Sequence, residues 1–273
     1  MIDNLTIAFS GYNIRDNLIL AIQSFLLYYP NLKDSIVIFD DYSTDGTVEY
    51  FRELGIKIIT WKFHANKVSL AISGFHHRCN LINNEIIDQC ETKYLLVNDG
   101  DVAFTGTFMN KYEYLMHKYS YKTILFKKAF GRRCPKNYTQ YLSSNNIIHR
   151  AHPYHMLLDV EYLRQYNIIF DRIEDIEYIN HMPEYFDCGV DFLYQLESRD
   201  IPFYNLTEDR ESDKYIQHFC WASSYERAVI DSNPINNPGQ GVQRNLNSLY
   251  QSKLNNPTIA NIVKQYNLNL IKE

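Results

Sequence analysis

The first hundred residues set the strongest limit on what this chain can become. Short apolar runs alternate there with helical patterns. Leu5-Thr6-Ile7-Ala8-Phe9 reads as a strand, and Leu18, Ala21, Ile22, Phe25 and Leu26 repeat at helical spacing up to Pro30. Ser35–Phe39 is a second strand, apolar throughout, as expected of a parallel strand covered on both faces. Val48, Phe51 and Leu54 mark a helix that Gly55 stops, with Ser43 or Thr44 as its cap. A third strand over 56–61, a helical region over 73–88 and a fourth strand at Tyr94-Leu95-Leu96-Val97 complete the alternation. This pattern predicts an α/β fold with a mostly parallel central sheet flanked by helices. In such sheets ligands bind beyond the carboxyl ends of the strands. Three polar turns fall at that edge: Ser10–Asn13, Asp40–Asp45 and Asn98–Asp101.

Asp99 and Asp101 stand one residue apart at the end of a buried strand. Like charges held that close, with water partly removed, favour a cationic partner, and a hard divalent ion with oxygen ligands suits them. Asn, Asp and Gly also build ordinary turns, so the tripeptide alone serves either reading equally.

Composition narrows the functional classes. The net charge is −5, with no long basic block, which argues against a nucleic-acid partner. The five cysteines are scattered without a C-x-x-C pair, which suits a reducing compartment and no structural zinc. No signal peptide and no membrane-length apolar run is visible, so the expectation is a cytoplasmic protein, with peripheral membrane contact left open.

The second half is less regular. A strand is expected at Lys122–Phe126, a strand end and short helix near Leu157–Leu163, and a helix over Asp187–Leu196 with Asp187 as its cap. Ile201–Leu206 reads as an edge strand because of Pro202. His149, His152 and His155 would share a helix face, but Pro153 breaks that helix. They read as loop or packing residues. Asn233–Asn245, with two prolines and two glycines, reads as a loop able to cover a ligand, and a closing helix is expected from about Pro257 to Tyr266.

Asp40-Asp41-Tyr42-Ser43-Thr44-Asp45-Gly46-Thr47 resembles the D-D-x-S-T-D-G-T turn of the family 2-like glycosyltransferases with the GT-A fold. Tyr12-Asn13, Arg78-Cys79-Asn80 and Asp99-Gly100-Asp101 resemble that family's Y-N, A-R-N and D-x-D, in the same order. The likeness covers residues 5 to 105 and is fragmentary beyond. It implies a single GT-A-like domain over residues 1–273, with a nucleotide-sugar-binding half at 1–105 and an acceptor and catalytic half at 106–273. It further implies transfer of a sugar from a nucleotide-diphosphate sugar, UDP-linked by preference, to a glycan or other hydroxyl acceptor, with Mn²⁺ or Mg²⁺ required.

The resemblance also implies roles. Tyr12 would stack on the base, Asp41 or Asp40 would accept from it, and Arg78 would reach the base or diphosphate. Asp101 would bind the metal, Asp99 the metal or ribose, and His218 would complete the metal shell. The family's inverting members carry an E-D pair that presents the catalytic base; Cys188-Gly189 stands in its place, leaving Asp191 and Asp187 as the nearest carboxylates. Two rival readings follow. A catalytically inactive carbohydrate- or nucleotide-binding protein would explain the missing pair. A sugar-1-phosphate nucleotidyltransferase would need a glycine-rich basic loop after the first strand, which Ser10-Gly11-Tyr12-Asn13 does not offer.

Overall fold

In a computed structural model of the chain, residues 2–60, 82–118, 124–130, 149–170, 178–179, 182–183, 189–206, 212–219 and 251–270 are described. They form a mixed α/β structure. The elements run β1 (Leu5–Gly11), α1 (Arg15–Tyr28), β2 (Ile36–Asp40), α2 (Thr47–Glu53), β3 (Lys57–Thr60), α3 (82–89), β4 (Tyr94–Asp99), β5 (Val102–Phe104) and α4 (Met109–Lys118). They continue with β6 (Leu125–Phe130), β7 (His149–Asp159), α5 (Val160–Gln165), β8 (Tyr178–Ile179), β9 (Met182–Pro183), α6 (Val190–Ser198), β10 (Tyr204–Asn205), α7 (Ser212–Tyr215), β11 (Ile216–His218), α8 (251–254) and α9 (Pro257–Tyr266).

A seven-stranded sheet has the order β10-β6-β7-β4-β1-β2-β3. β2 and β3 pair in parallel, β10 and β6 likewise, while β6 and β7 are antiparallel. The sequence passes from β1 outward through β2 to β3 and then returns to β4 on the other side of β1. That reversal makes the carboxyl ends of β1 and β4 the switch point at which open α/β sheets hold ligands.

Contacts divide the chain into two compact units, each built from three stretches. One comprises Met1–Ala8, Ala65–Val97 and Met109–Asp209. Here β7 supplies a fully buried run from Tyr154 through Asp159, which ends by capping α5: the Asp159 carboxylate accepts from Tyr162 N–H at 3.0 Å. The N-cap of α6 is Gly189 rather than the expected Asp187, which lies outside the described residues. Gly189 adopts φ 87°, and a Cβ there would stand 2.0 Å from the Ala151 carbonyl oxygen, so neither its conformation nor its space admits a side chain. The three histidines fall on strand β7 rather than in a loop. His155 is fully buried, with Nε2 2.7 Å from the Tyr112 hydroxyl.

The other unit comprises Phe9–His64, Asn98–Phe108 and Arg210–Glu273. Its core is aromatic: Phe25 lies edge-on to Phe9 and Phe104, and Phe104 stacks on Phe108. Ser24 receives the Phe104 N–H and Tyr29 receives that of Phe108, which satisfies buried backbone donors that no ladder reaches. A second cluster of Leu20, Ala103, Phe219, Ile259, Ile262 and Leu270 fastens α9 to α1.

Burial lowers the pKa of His155 from 6.5 to about 3. The unfolded chain therefore takes up this proton first. Stability is intact above the unfolded value of 6.5 and falls as pH drops from there toward 3. Denaturant midpoints compared at about pH 7 and about pH 4.5 should show this loss in the wild type and a smaller one in His155→Gln. Equal losses would refute the assignment.

Candidate active site

The motif at residues 40–47 is mostly self-supporting architecture. Asp40 Oδ2 accepts from Ser43 N–H at 2.8 Å and closes a turn. Ser43 Oγ accepts from Asn13 N–H at 2.8 Å, and Asn13 Oδ1 accepts from Thr44 N–H at 2.7 Å. Asp45 Oδ2 accepts from Arg15 N–H, while its Oδ1 accepts from Thr47 N–H and the Thr47 hydroxyl. Thus Asp45, not Ser43 or Thr44, satisfies the start of α2, because those two residues are spent tying this turn to the one after β1. Gly11 O receives Asp41 N–H at 3.1 Å, which completes the clasp.

Asp41 and Tyr42 complete the motif. The Asp41 side chain is 2% exposed. Tyr42 adopts φ 62° and is 51% exposed, an uncommon backbone state for a bulky residue held at a ligand edge. Burial pushes the Asp40 carboxyl above its ordinary range despite the Ser43 hydrogen bonds, and its Oδ1 has no hydrogen-bond partner among the described residues. Tyr12 is half-buried in the adjoining turn.

Asp99 and Asp101 meet His218 across a ribbon that the sequence reading did not foresee. β5 pairs antiparallel with β11, Val102 opposite His218 and Phe104 opposite Ile216. Phe219 N–H donates to the Asp101 carbonyl at 2.8 Å and extends the ladder to the site. The signal was present in two short runs, Val102-Ala103-Phe104 and Ile216-Gln217-His218. Neither is long enough to declare a partner more than a hundred residues away.

His218 Nε2 lies 3.2 Å from Asp101 Oδ1 and 3.6 Å from Asp99 Oδ2, and one ligand atom from each residue falls within 4.8 Å of the others. The Asp99 side chain is 38% exposed and that of Asp101 5%. Burial disfavours the Asp101 anion. The charge and hydrogen bond of His218 outweigh this, with a further contribution from Lys253, and hold the carboxyl below the usual range. Lys253 had no sequence signal. It donates to the His218 carbonyl, and its ammonium lies 5.3 Å from the Phe219 ring centroid. Two carboxylates and an imidazole facing one point suit a divalent cation of intermediate softness better than a pure oxygen-seeker.

The space at Gly100 is used by the protein itself: a Cβ there would lie 2.7 Å from the Ser10 carbonyl and 2.6 Å from Ile14 Cδ1. Asp191 sits in the first turn of α6, 5% exposed, with Oδ2 accepting from Gln195 Nε2 at 2.6 Å. Arg78, Asp187 and the Asn233–Asn245 loop lie outside the described residues. No helix among the described residues is long and apolar enough to cross a membrane.

No family model matches the chain, and no curated protein matches it. Solved structures do. S. aureus TarS 1–349 is 15% identical over 82% of this chain and 62% of its own, with a TM-score of 0.49. The mannosyltransferase Ktr4p from S. cerevisiae is 13% identical over 59% and 57%, with a TM-score of 0.42. The mannosyltransferase PcManGT from Pyrobaculum calidifontis, in complex with GDP-Man and Mn²⁺, is 13% identical over 62% and 47%, with a TM-score of 0.37. The chain spans less than two thirds of the length of each of these.

Gly100→Ala should cost about 1–3 kcal/mol through overpacking against a carbonyl that cannot rotate away. Denaturant unfolding measures it, and a variant as stable as the wild type would contradict the close approach.

Proposed function

We propose that this chain is a metal-dependent glycosyltransferase of GT-A type, a single domain over residues 1–273. It moves a sugar from a nucleotide-diphosphate donor, UDP-linked by preference, to an acceptor hydroxyl. One observation carries the reading: Asp99, Asp101 and His218 converge at the carboxyl edge of the sheet, in the same unit as the Asp40–Thr47 turn.

In this reading Asp101 and His218 hold Mn²⁺ or Mg²⁺, and the more exposed Asp99 serves the metal or the ribose. A divalent ion bound there supplies charge neutralisation for a departing nucleoside diphosphate. The imidazole in the donor set favours Mn²⁺ over Mg²⁺. Asp41 accepts from the base N–H, since the Asp40 carboxylate already receives Ser43 and closes its own turn. Tyr12 stacks on the base, and Arg78 binds base or diphosphate. The general base is Asp191 or Asp187, either of which can take the proton of an acceptor hydroxyl. The Asn233–Asn245 loop covers the donor and keeps water from competing.

A second reading has its own support. Asp191 is buried and already engaged by Gln195, which favours a protein that binds nucleotide sugar without turning it over.

Asp101→Ala should abolish metal-dependent donor hydrolysis and transfer, a loss of about a hundredfold or more. Calorimetry with UDP and Mn²⁺, paired with a turnover assay over a panel of nucleotide sugars, separates the two readings. Metal-dependent UDP binding without turnover of any donor would favour the second. Full activity in Asp101→Ala would remove the metal assignment.

A further inference from the structure

Positive φ is costly for every residue except glycine, and the chain shows where it accepts that cost. Among the described residues, six non-glycine positions adopt it: Asn4, Asn13, Tyr42, Asn167, Asp200 and Asn267. Five of the six are asparagine or aspartate, whose short polar side chains tolerate the left-handed region. Tyr42, at φ 62°, is the exception. It stands in the turn that the Asp40 carboxylate closes on Ser43 N–H, where asparagine or glycine would serve with less strain. A bulky ring kept there against the preference of the backbone points to a use outside folding.

Exposure singles out the same residue. Leu27, Tyr42, Tyr114 and Tyr166 are the exposed large hydrophobic side chains among the described residues. Leu27 and Tyr114 lie within α1 and α4, and Tyr166 caps the end of α5. Tyr42 alone of these stands in a turn at the carboxyl edge of the sheet, 51% exposed and next in sequence to the buried Asp41.

The clasp between the two loops fixes what Tyr42 is matched with. Gly11 O receives Asp41 N–H at 3.1 Å, and Asn13 N–H donates to Ser43 Oγ at 2.8 Å. Tyr12 stands between Gly11 and Asn13, and Tyr42 between Asp41 and Ser43. The two tyrosines thus occupy matching positions in a clasp tied on either side, within one compact unit. Aromatic rings stack on the faces of any nucleobase, and the stacking adds to affinity without choosing between bases.

We propose that Tyr42 is a second aromatic contact for the nucleobase, so that the base is held between Tyr12 and Tyr42 with an N–H edge toward Asp41. This rests on the nucleotide-sugar reading and adds to it a residue that sets affinity for the nucleoside rather than for the phosphates or the metal.

Calorimetric titration of the full chain with uridine, UDP and ribose 5-phosphate tests this. The wild type should bind uridine and UDP. Tyr42→Gly should weaken both by the same factor, about fivefold to a hundredfold. Its denaturant midpoint should stay near that of the wild type, because glycine adopts positive φ without strain. Tyr42→Phe keeps the ring face and should bind as the wild type does. Ribose 5-phosphate, which has no base, should not distinguish wild type from Tyr42→Gly. If Tyr42→Gly does not fold, Tyr42→Asn carries the test with a residue the chain already uses at positive φ. Equal uridine binding by wild type and Tyr42→Gly, equal losses in Tyr42→Gly and Tyr42→Phe, or a parallel loss of ribose 5-phosphate would each overturn the inference and leave the transferase reading standing. A wild type that binds neither uridine nor UDP would remove that reading, and this inference with it.

Discussion

The candidate site depends on one backbone hydrogen bond, from Phe219 N–H to the Asp101 carbonyl, and on the short ribbon it extends. Two carboxylates at the end of a buried strand repel one another and lose hydration. A cation that arrives only with the ligand cannot support the empty fold. The ribbon brings an imidazole to 3.2 Å from the buried acid, and Lys253 donates to the His218 carbonyl on the same strand. The hydrophobic cluster around Phe219, Ile259 and Ile262 holds that arrangement in place. Apolar contacts far from the chemistry thus decide where the charges sit.

The turn after β2 solves a different problem. Its residues look functional because so many are polar, yet most of their bonds are spent on one another and on Asn13 and Arg15. Capping α2, closing the Asp40 turn and clasping the two loops consume Ser43, Thr44, Asp45 and Thr47. The turn is thereby fastened to the loop after β1 at several points. Positioned polar groups of this kind lose little order when a ligand arrives.

The architecture of the first hundred residues was legible because it follows from local pattern. Apolar runs, helical spacing and turn chemistry gave β1, α1, β2, α2, β3 and β4 nearly in place. Asp101 was legible for the same reason, since it directly follows a strand. Other features were not. The pairing of β5 with β11 joins two three-residue segments whose individual patterns carry no address. The role of Lys253 depends on how α8 packs, which no local window encodes. The histidines of β7 were misplaced because Pro153 was read as ending a helix, whereas a bulge accommodates it within a strand. The start of α2 is satisfied by Asp45 rather than Ser43 or Thr44, since those two are tied to Asn13 across the loop.

The unit that holds the site is stitched from three separated stretches, Phe9–His64, Asn98–Phe108 and Arg210–Glu273, with the other unit's segments between them. Its contacts therefore span long sequence separations, the kind that fold slowly. During synthesis the Asp40–Thr47 turn and the Asp99–Asp101 turn leave the ribosome well before His218 exists. Throughout that interval the acidic pair has neither its imidazole nor the apolar cluster that steadies it. The three side chains of this cluster therefore come together only after the last third of the chain has emerged.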